Sequence, residues 1–289
     1  MDWINAVERA IDYIEAHLSE EIDYEKVARE SFSSSYYFQR IFGILSGYTL
    51  GEYIRYRRLS LAGEELAGGN TKVIDVALKY GYDSPDSFAK AFQKFHGITP
   101  SEARIDGKTL KSFSKLSIKI SLVGGNSMNY RIEEKDAFYV IEKTEIHTNE
   151  NGKNKTSIPD FWARAWSDGT INTLISLSDG SAYTYGICYC GESEDGKNFK
   201  YSIAVKCDEN TQAPSGFTKK LIGAKTWIVF SCVGAMPDAI QNTWDKIFTE
   251  FFPTSNYRPT YEMDIEAYGD GDSDSPDYYS EIWVPVEKK

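Results

Sequence analysis

The polar–apolar pattern along this chain changes period near residue 128. Before that point it repeats at helical spacing. Trp3, Ile4, Val7, Ile11, Ile14 and Leu18 make one apolar stripe over residues 2–18. Asp23 is placed to cap a short helix from Tyr24 to about Glu30 that buries Val27 and Ala28. After a break at Ser31–Ser33, Ser34 caps a helix to about Leu45 that stops at Gly47. Phe38, Ile41, Phe42 and Leu45 form its inner stripe, which leaves Ser35, Tyr36, Gln39 and Arg40 on the outward face. Thr49, with Glu52 three residues on, opens a long helix that ends before Gly68 and Gly69. A short helix follows from Asn70 or Thr71, with Val73, Ile74, Val76, Ala77 and Tyr80 inward. Another runs from the Ser84 cap to Gly97, and Pro100 closes the region.

Two of these helices are copies. SSYYFQRIFGILSGYT (34–49) and SPDSFAKAFQKFHGIT (84–99) align without gaps at an offset of 50 residues. A fixed-offset repeat means that one helix-turn-helix unit occurs twice. The nineteen residues Thr49–Ala67 that join the copies span roughly 28 Å as a helix. That is close to the roughly 34 Å between successive major-groove faces on one side of B-DNA.

From residue 128 onward the pattern alternates. Strands are expected as a pair over Tyr130–Lys143, at Tyr183–Cys190 and Lys200–Lys206 about a turn at Asp195–Gly196, as one long strand over Lys220–Val233, and at Thr260–Tyr268 and Ser280–Val286. Helices are expected after a Ser157 cap, with Phe161, Trp162, Ala165 and Trp166, and over Pro237–Phe251. Strand, helix, strand, strand thus occurs twice. The fold class is multidomain: an all-α domain with two helix-turn-helix units over 1–107, a tether over 108–127, and an α+β domain of two pseudo-symmetric strand-helix-strand-strand units over 128–289. The tether's alternation at Leu116, Ile118, Ile120 and Leu122 favours an extended segment ahead of the Gly124–Gly125 break.

Charge sharpens the picture. The net charge is −11, yet residues 24–58 carry six basic and three acidic side chains, and 108–120 carry four lysines and no acid. The first repeat copy therefore lies in a basic island of an acidic chain. No run of about 18 apolar residues is present and no secretory signal is visible, so a cytoplasmic, non-membrane protein is expected. Cys188, Cys190, Cys207 and Cys232 lack zinc-ribbon spacing and are expected as reduced, buried thiols, with no metal and no cofactor. Asp270, Asp272, Asp274 and Glu281 mimic a calcium-loop spacing, but Ser275 stands where glycine is required and strands flank the loop.

Residues 23–104, with YIRYRRLSLA and IDVALKYGYDSPDSFAKAFQKFHGITPSE, resemble an AraC/XylS-type DNA-binding domain. The resemblance implies promoter DNA as partner, with RNA polymerase as a further one. It implies base-facing roles for Ser35, Tyr36, Gln39 and Arg40 in the first unit and for Asp86, Ser87 and Lys90 in the second. Asp86 and Ala89 weaken the second copy, so the first should carry most base readout, Arg40 to guanine and Gln39 to adenine. MNYRIEEKDAFYVIEK, KKLIGAKTWIVFSCVGAMPDAIQNTWDKIF and IEAY with YSEIWVPV resemble a GyrI-like (Rob-type) effector-binding domain. That implies a pocket for a small lipophilic or cationic effector. Its carboxylates would be Glu266 and Glu281, and its walls Trp162, Trp166, Tyr139, Tyr189, Trp227 and Trp283. The reading is a ligand-responsive transcription regulator and not an enzyme. Two alternatives stand beside it. One is a hydrolase using Glu281 as base, although no nucleophile–base pair is visible; the other is an effector-independent interaction module whose surface is acidic.

Overall fold

A computed structural model describes residues 3–31, 33–69, 71–117, 127–190 and 198–289. The expectations for the side chains of Trp3 and Ile4, for Asn70, for 118–126 and for the Asp195–Gly196 turn lie outside the described residues. The chain divides into two compact units. One joins Met1–Phe32 to Ser46–Ile120; the other joins Ser33–Leu45 to Ser121–Lys289.

The first unit holds helices α1 (Trp3–Ala16), α2 (Tyr24–Glu30), α4 (Leu50–Ala67), α5 (Val73–Lys79) and α6 (Pro85–His96). Their ends follow from the caps. Asp23 accepts from the Glu25 N–H at 2.9 Å, Ser84 accepts from Ser87, and Gly97 closes α6 at φ +84°. Thr49 and Glu52 form a full capping box at the start of α4. The repeat reproduces it: Thr99 and Glu102 exchange the same bonds at 2.7 and 3.3 Å. Leu59, Ala62, Leu66, Val76, Phe88 and Phe92 form the core between α4, α5 and α6. Ile74 is exposed, contrary to its expected inward position. The tether is not free over its described part. Residues 108–117 lie on these helices, with Phe113 N–H bonded to Ser60 Oγ at 3.1 Å and the Phe113 ring against Tyr48, Tyr53 and Tyr56. Lys115 is spent on Asp12.

The second unit is a wholly antiparallel sheet with strands β1 (Tyr130–Lys135), β2 (Phe138–Thr148), β3 (Thr184–Tyr189), β4 (Asn198–Cys207), β5 (Thr218–Ile222), β6 (Lys225–Val233), β7 (Tyr257–Pro259), β8 (Asp264–Tyr268) and β9 (Tyr279–Lys288). The order is β1-β6-β9-β8-β3-β4-β2-β5, and β7 pairs with β9. Helices α7 (Asn154–Ser167), α8 (Thr170–Ser176) and α9 (Asp238–Lys246) complete it. The doubling is explicit: β2, β3, β4 match β6, β8, β9 across the central β3–β8 pair.

Three local expectations are corrected. The strands over 130–143 do not pair with each other: β1 joins β6 and β2 joins β4 and β5. The long strand over 220–233 is two strands, β5 and β6, which join opposite halves of the sheet. A break at Gly223–Ala224 allows that exchange, which alternation alone cannot reveal. Ser157 lies inside α7 and not at its cap; its hydroxyl meets His147 Nδ1 at 2.8 Å.

Helix α3 (Ser35–Ser46) belongs, over Ser33–Leu45, to this second unit. Tyr36 and Tyr37 sit in one buried cluster with Phe161 of α7, Trp244 of α9 and Ile282 of β9. The opposite face of the sheet is a separate cluster containing Tyr185, Tyr189, Trp227, Val229 and Trp283.

Candidate effector site

Strand β8 sets the site. Period-2 alternation puts Asp264 and Glu266 on the sheet face that carries α3, α7 and α9, and Ile265 and Ala267 on the other. Glu266 is held by Trp244 Nε1–H at 2.7 Å on one oxygen and by the Tyr268 hydroxyl at 2.7 Å on the other. Beside it, Trp162 Nε1–H donates to the Tyr201 hydroxyl at 3.0 Å and packs edge-on to Tyr268. Gly186, opposite Glu266 in the register, makes room for this arrangement: a Cβ there would stand 2.2 Å from the Tyr201 oxygen.

The cage is filled by the chain itself. Arg40 of α3 lays its guanidinium 3.7 Å above the Trp244 ring. It donates to Asp264 at 3.3 Å and lies 4.0 Å from Glu266. Tyr36 packs on Phe199 at 4.5 Å, and Tyr37 packs edge-on to Phe248 and Tyr261. Burial by itself would lower the Arg40 pKa; the Tyr36 hydroxyl and the two carboxylates reverse this and hold it above its usual value. For Asp264 burial wins over Arg40, and its carboxyl is pushed up to about 6. Burial raises the Tyr36 and Tyr37 hydroxyls as well.

The face of α3 expected to lie outward is therefore buried. Ser35, Tyr36 and Gln39 are 1%, 7% and 8% exposed, and Arg40 is spent on carboxylates. The reason is chemical. A Tyr-Tyr-x-x-Arg surface suits an aromatic, acidic groove as well as it suits DNA. Asp86, Ser87 and Lys90 on α6 are exposed as expected.

Glu266 and Glu281 do not share a pocket. Glu281 of β9 points to the opposite sheet face, where Arg131 grips it bidentately at 2.8 and 3.1 Å. Tyr279 and Trp283 add bonds at 2.8 and 2.7 Å. Burial would raise its pKa, but these four bonds hold it below the ordinary glutamate value. Trp227, Trp283 and Tyr189 lie on that same far face, with Tyr189 bonded to Glu142. Tyr139 is partly buried against the α3-bearing cluster with Lys219 4.4 Å above its ring, and Trp166 is 61% exposed. Of the expected pocket residues, Glu266 and Trp162 alone meet in the cage. Asp264, Trp244, Tyr201 and Tyr268 were not anticipated. Two acids two apart on a strand flanked by apolar residues were the available signal.

All four cysteines are free and buried. Cys188, Cys190 and Asp264 bring donor atoms within 4.8 Å of one another. Burial holds both thiols protonated, and Arg40 takes the carboxylate. An open cleft of about 450 Å³ by Met128, Tyr130, Phe251 and Tyr257 holds none of the cage residues.

Residues 131–286 match the Cass2 family, the integron-associated effector binding proteins. The chain belongs to that family. Ahead of the Cass2 domain, residues 27–105 match a helix-turn-helix domain, here of the AraC type. The chain thus joins a DNA-binding domain to an effector-binding domain. The first part is similar to the transcriptional activator AarP of Providencia stuartii, at 38% identity over 109 residues, covering 38% of this chain and 81% of AarP. It is also similar to the regulatory protein SoxS of Salmonella typhimurium, at 37% identity over 98 residues, covering 34% and 92%. The Cass2 domain is similar to the structure of SAV2435 bound to tetraphenylphosphonium, with 26% identity, a TM-score of 0.50, and coverage of 55% of this chain and 94% of that one. Among the described residues no helix is long and apolar enough to cross a membrane.

Proposed function

We propose that this protein is a transcription regulator whose Cass2 domain takes a lipophilic cation in the Asp264–Glu266–Trp244 cage. Its helix-turn-helix helices read promoter DNA, where RNA polymerase is the expected further partner. The observation that carries this reading is the guanidinium stacked on Trp244 between two carboxylates. A buried cation there has both a π face and neutralising charge, which is the chemistry a delocalised organic cation needs. The tetraphenylphosphonium complex of SAV2435 supports the same ligand class. On the DNA side, Tyr36, Gln39 and Arg40 would contact bases, and Lys90 with Ser87 would position the second unit on phosphates. A hydrolase is disfavoured because the buried Glu281 carboxylate already accepts four hydrogen bonds, from Arg131, Tyr279 and Trp283, in place of a water it would have to activate as base.

The test is tetraphenylphosphonium titration of the full chain, followed by tryptophan fluorescence, because Trp244 and Trp162 line the cage. Saturable quenching is expected in the micromolar range or tighter. Glu266→Gln should weaken it by at least about tenfold, the equivalent of roughly 1.4 kcal/mol. Equal affinity in the two proteins would place the ligand elsewhere.

A further inference from the structure

We infer that the first recognition helix is the built-in ligand of the effector cage, so that α3 and an external cation compete for one seat. The inference rests on the effector reading above and adds its regulation. Four observations carry it. First, α3 groups with the effector domain and not with the helices of its own repeat unit. Second, its insertion has the composition of a lipophilic cation: one delocalised guanidinium flanked by the Tyr36 and Tyr37 rings. Third, of the residues expected to contact bases, Tyr36 and Arg40 are turned into this seat and Ser35 and Gln39 are buried, whereas Asp86, Ser87 and Lys90 of the sister helix face solvent. Fourth, the seat is imperfect. The Tyr37 hydroxyl is fully buried with no hydrogen-bond partner among the described residues. Release of α3 relieves that cost, so the docked state is strong enough to hold and weak enough to exchange.

The consequence has a definite sign. A cation that takes the place of Arg40 on Trp244, Asp264 and Glu266 cannot coexist with docked α3. It therefore favours the state in which Tyr36, Gln39 and Arg40 are free to read DNA. The effector is a promoter of DNA binding, and the apo protein is held off DNA by its own helix. The ligand class follows from the occupant: a flat or delocalised cation with at least one attached aromatic ring.

The experiment uses the full chain and tetraphenylphosphonium as probe, in two arms. In the first, hydrogen exchange of residues 35–45 is followed by mass spectrometry. Saturating probe should speed exchange of this helix at least about tenfold, and Arg40→Ala, which removes the guanidinium from Trp244, Asp264 and Glu266, should speed it without any probe. Unchanged protection in Arg40→Ala overturns the seat, whatever the probe does. In the second arm, Arg40→Ala and Tyr37→Ala remove the competitor and leave the cage intact. If the docked state holds about 90% or more of the apo protein, each variant should bind the probe about tenfold more tightly than wild type. Wild-type affinity in both variants, with binding retained, overturns the competition and leaves the cation site standing. No binding even by Arg40→Ala, whose cage lacks its cation, overturns the site itself and the competition with it.

Discussion

Two carboxylates on opposite faces of neighbouring strands show how much a single residue's surroundings decide. Glu281 looks like the stronger ligand group by its apolar flanks, yet four hydrogen bonds make it a closed structural pair. Removing that charge leaves Arg131, 41% exposed, with Glu133 as its partner, but takes the carboxylate from the Tyr279 and Trp283 donors. Glu281→Gln should therefore cost about 2 kcal/mol in urea denaturation, the scale of losing charge-assisted hydrogen bonds to a buried carboxylate whose cation is half exposed. A loss under about 1 kcal/mol would mean that the pair is solvated and open to ligands. Asp264 behaves oppositely. Arg40, Glu266 and Cys190 face it, and burial still dominates, raising it from 3.8 to about 6. An acid raised on folding stabilises the fold fully below its unfolded pKa, and that stabilisation is lost as pH rises through the folded one. About 3 kcal/mol should thus disappear between roughly pH 4 and pH 6. Asp264→Asn does not titrate. The stability difference between wild type and this variant, read from urea midpoints at pH 4 and pH 7, should shift by about that amount against wild type at the higher pH. Parallel pH profiles would refute the raised pKa.

Helices and strands were legible in proportion to how local their causes are. The caps at Asp23, Ser84, Thr49 and Gly97, and the Phe38/Phe42 and Phe88/Phe92 spacing, are local, and the repeat exposed them at once. The strands over 130–143 and 220–233 were read in position but not in partnership, because β1 and β5 each cross to the other half of the sheet. The seat of α3 was not legible. Its Phe38/Phe42 stripe was correctly read as buried, but nothing in a 3.6-residue period says that its other face is buried as well. Asymmetry between the two copies does remain testable. With tetraphenylphosphonium saturating, α3 is free in every variant, and Arg40→Ala should then cost about 1–3 kcal/mol of DNA affinity, more than Lys90→Ala, because a base contact is lost rather than a phosphate contact. Without the probe the Arg40→Ala deficit should shrink, since the same change also unlocks the helix. Fluorescence anisotropy on the protein's own upstream region, at fixed physiological salt, reads both numbers. Equal losses with the probe present would remove the asymmetry.

At the scale of the whole molecule the docking proposal makes one segment of twelve residues common to both activities, and linkage then constrains their energetics. If the cation raises DNA affinity by some factor, DNA must raise cation affinity by the same factor. On that proposal the net charge of −11 matters, because an acidic chain gains little from unspecific attraction to phosphates and its basic island lies around α3. With α3 docked, Arg40 of that island is neutralised by Asp264 and Glu266. The factor is bounded by the docking equilibrium: a docked state at 90–99% of the apo protein permits about 10- to 100-fold. Calorimetric titration of tetraphenylphosphonium into the free protein and into its complex with an operator duplex should show a tighter constant in the complex. Anisotropy of the same duplex with and without the probe should give a matching ratio. In Tyr37→Ala, where α3 is already released, both ratios should fall towards one. A probe that weakens DNA binding would overturn the competition, because it would make the docked helix, with Tyr36 and Gln39 buried, the DNA-reading state.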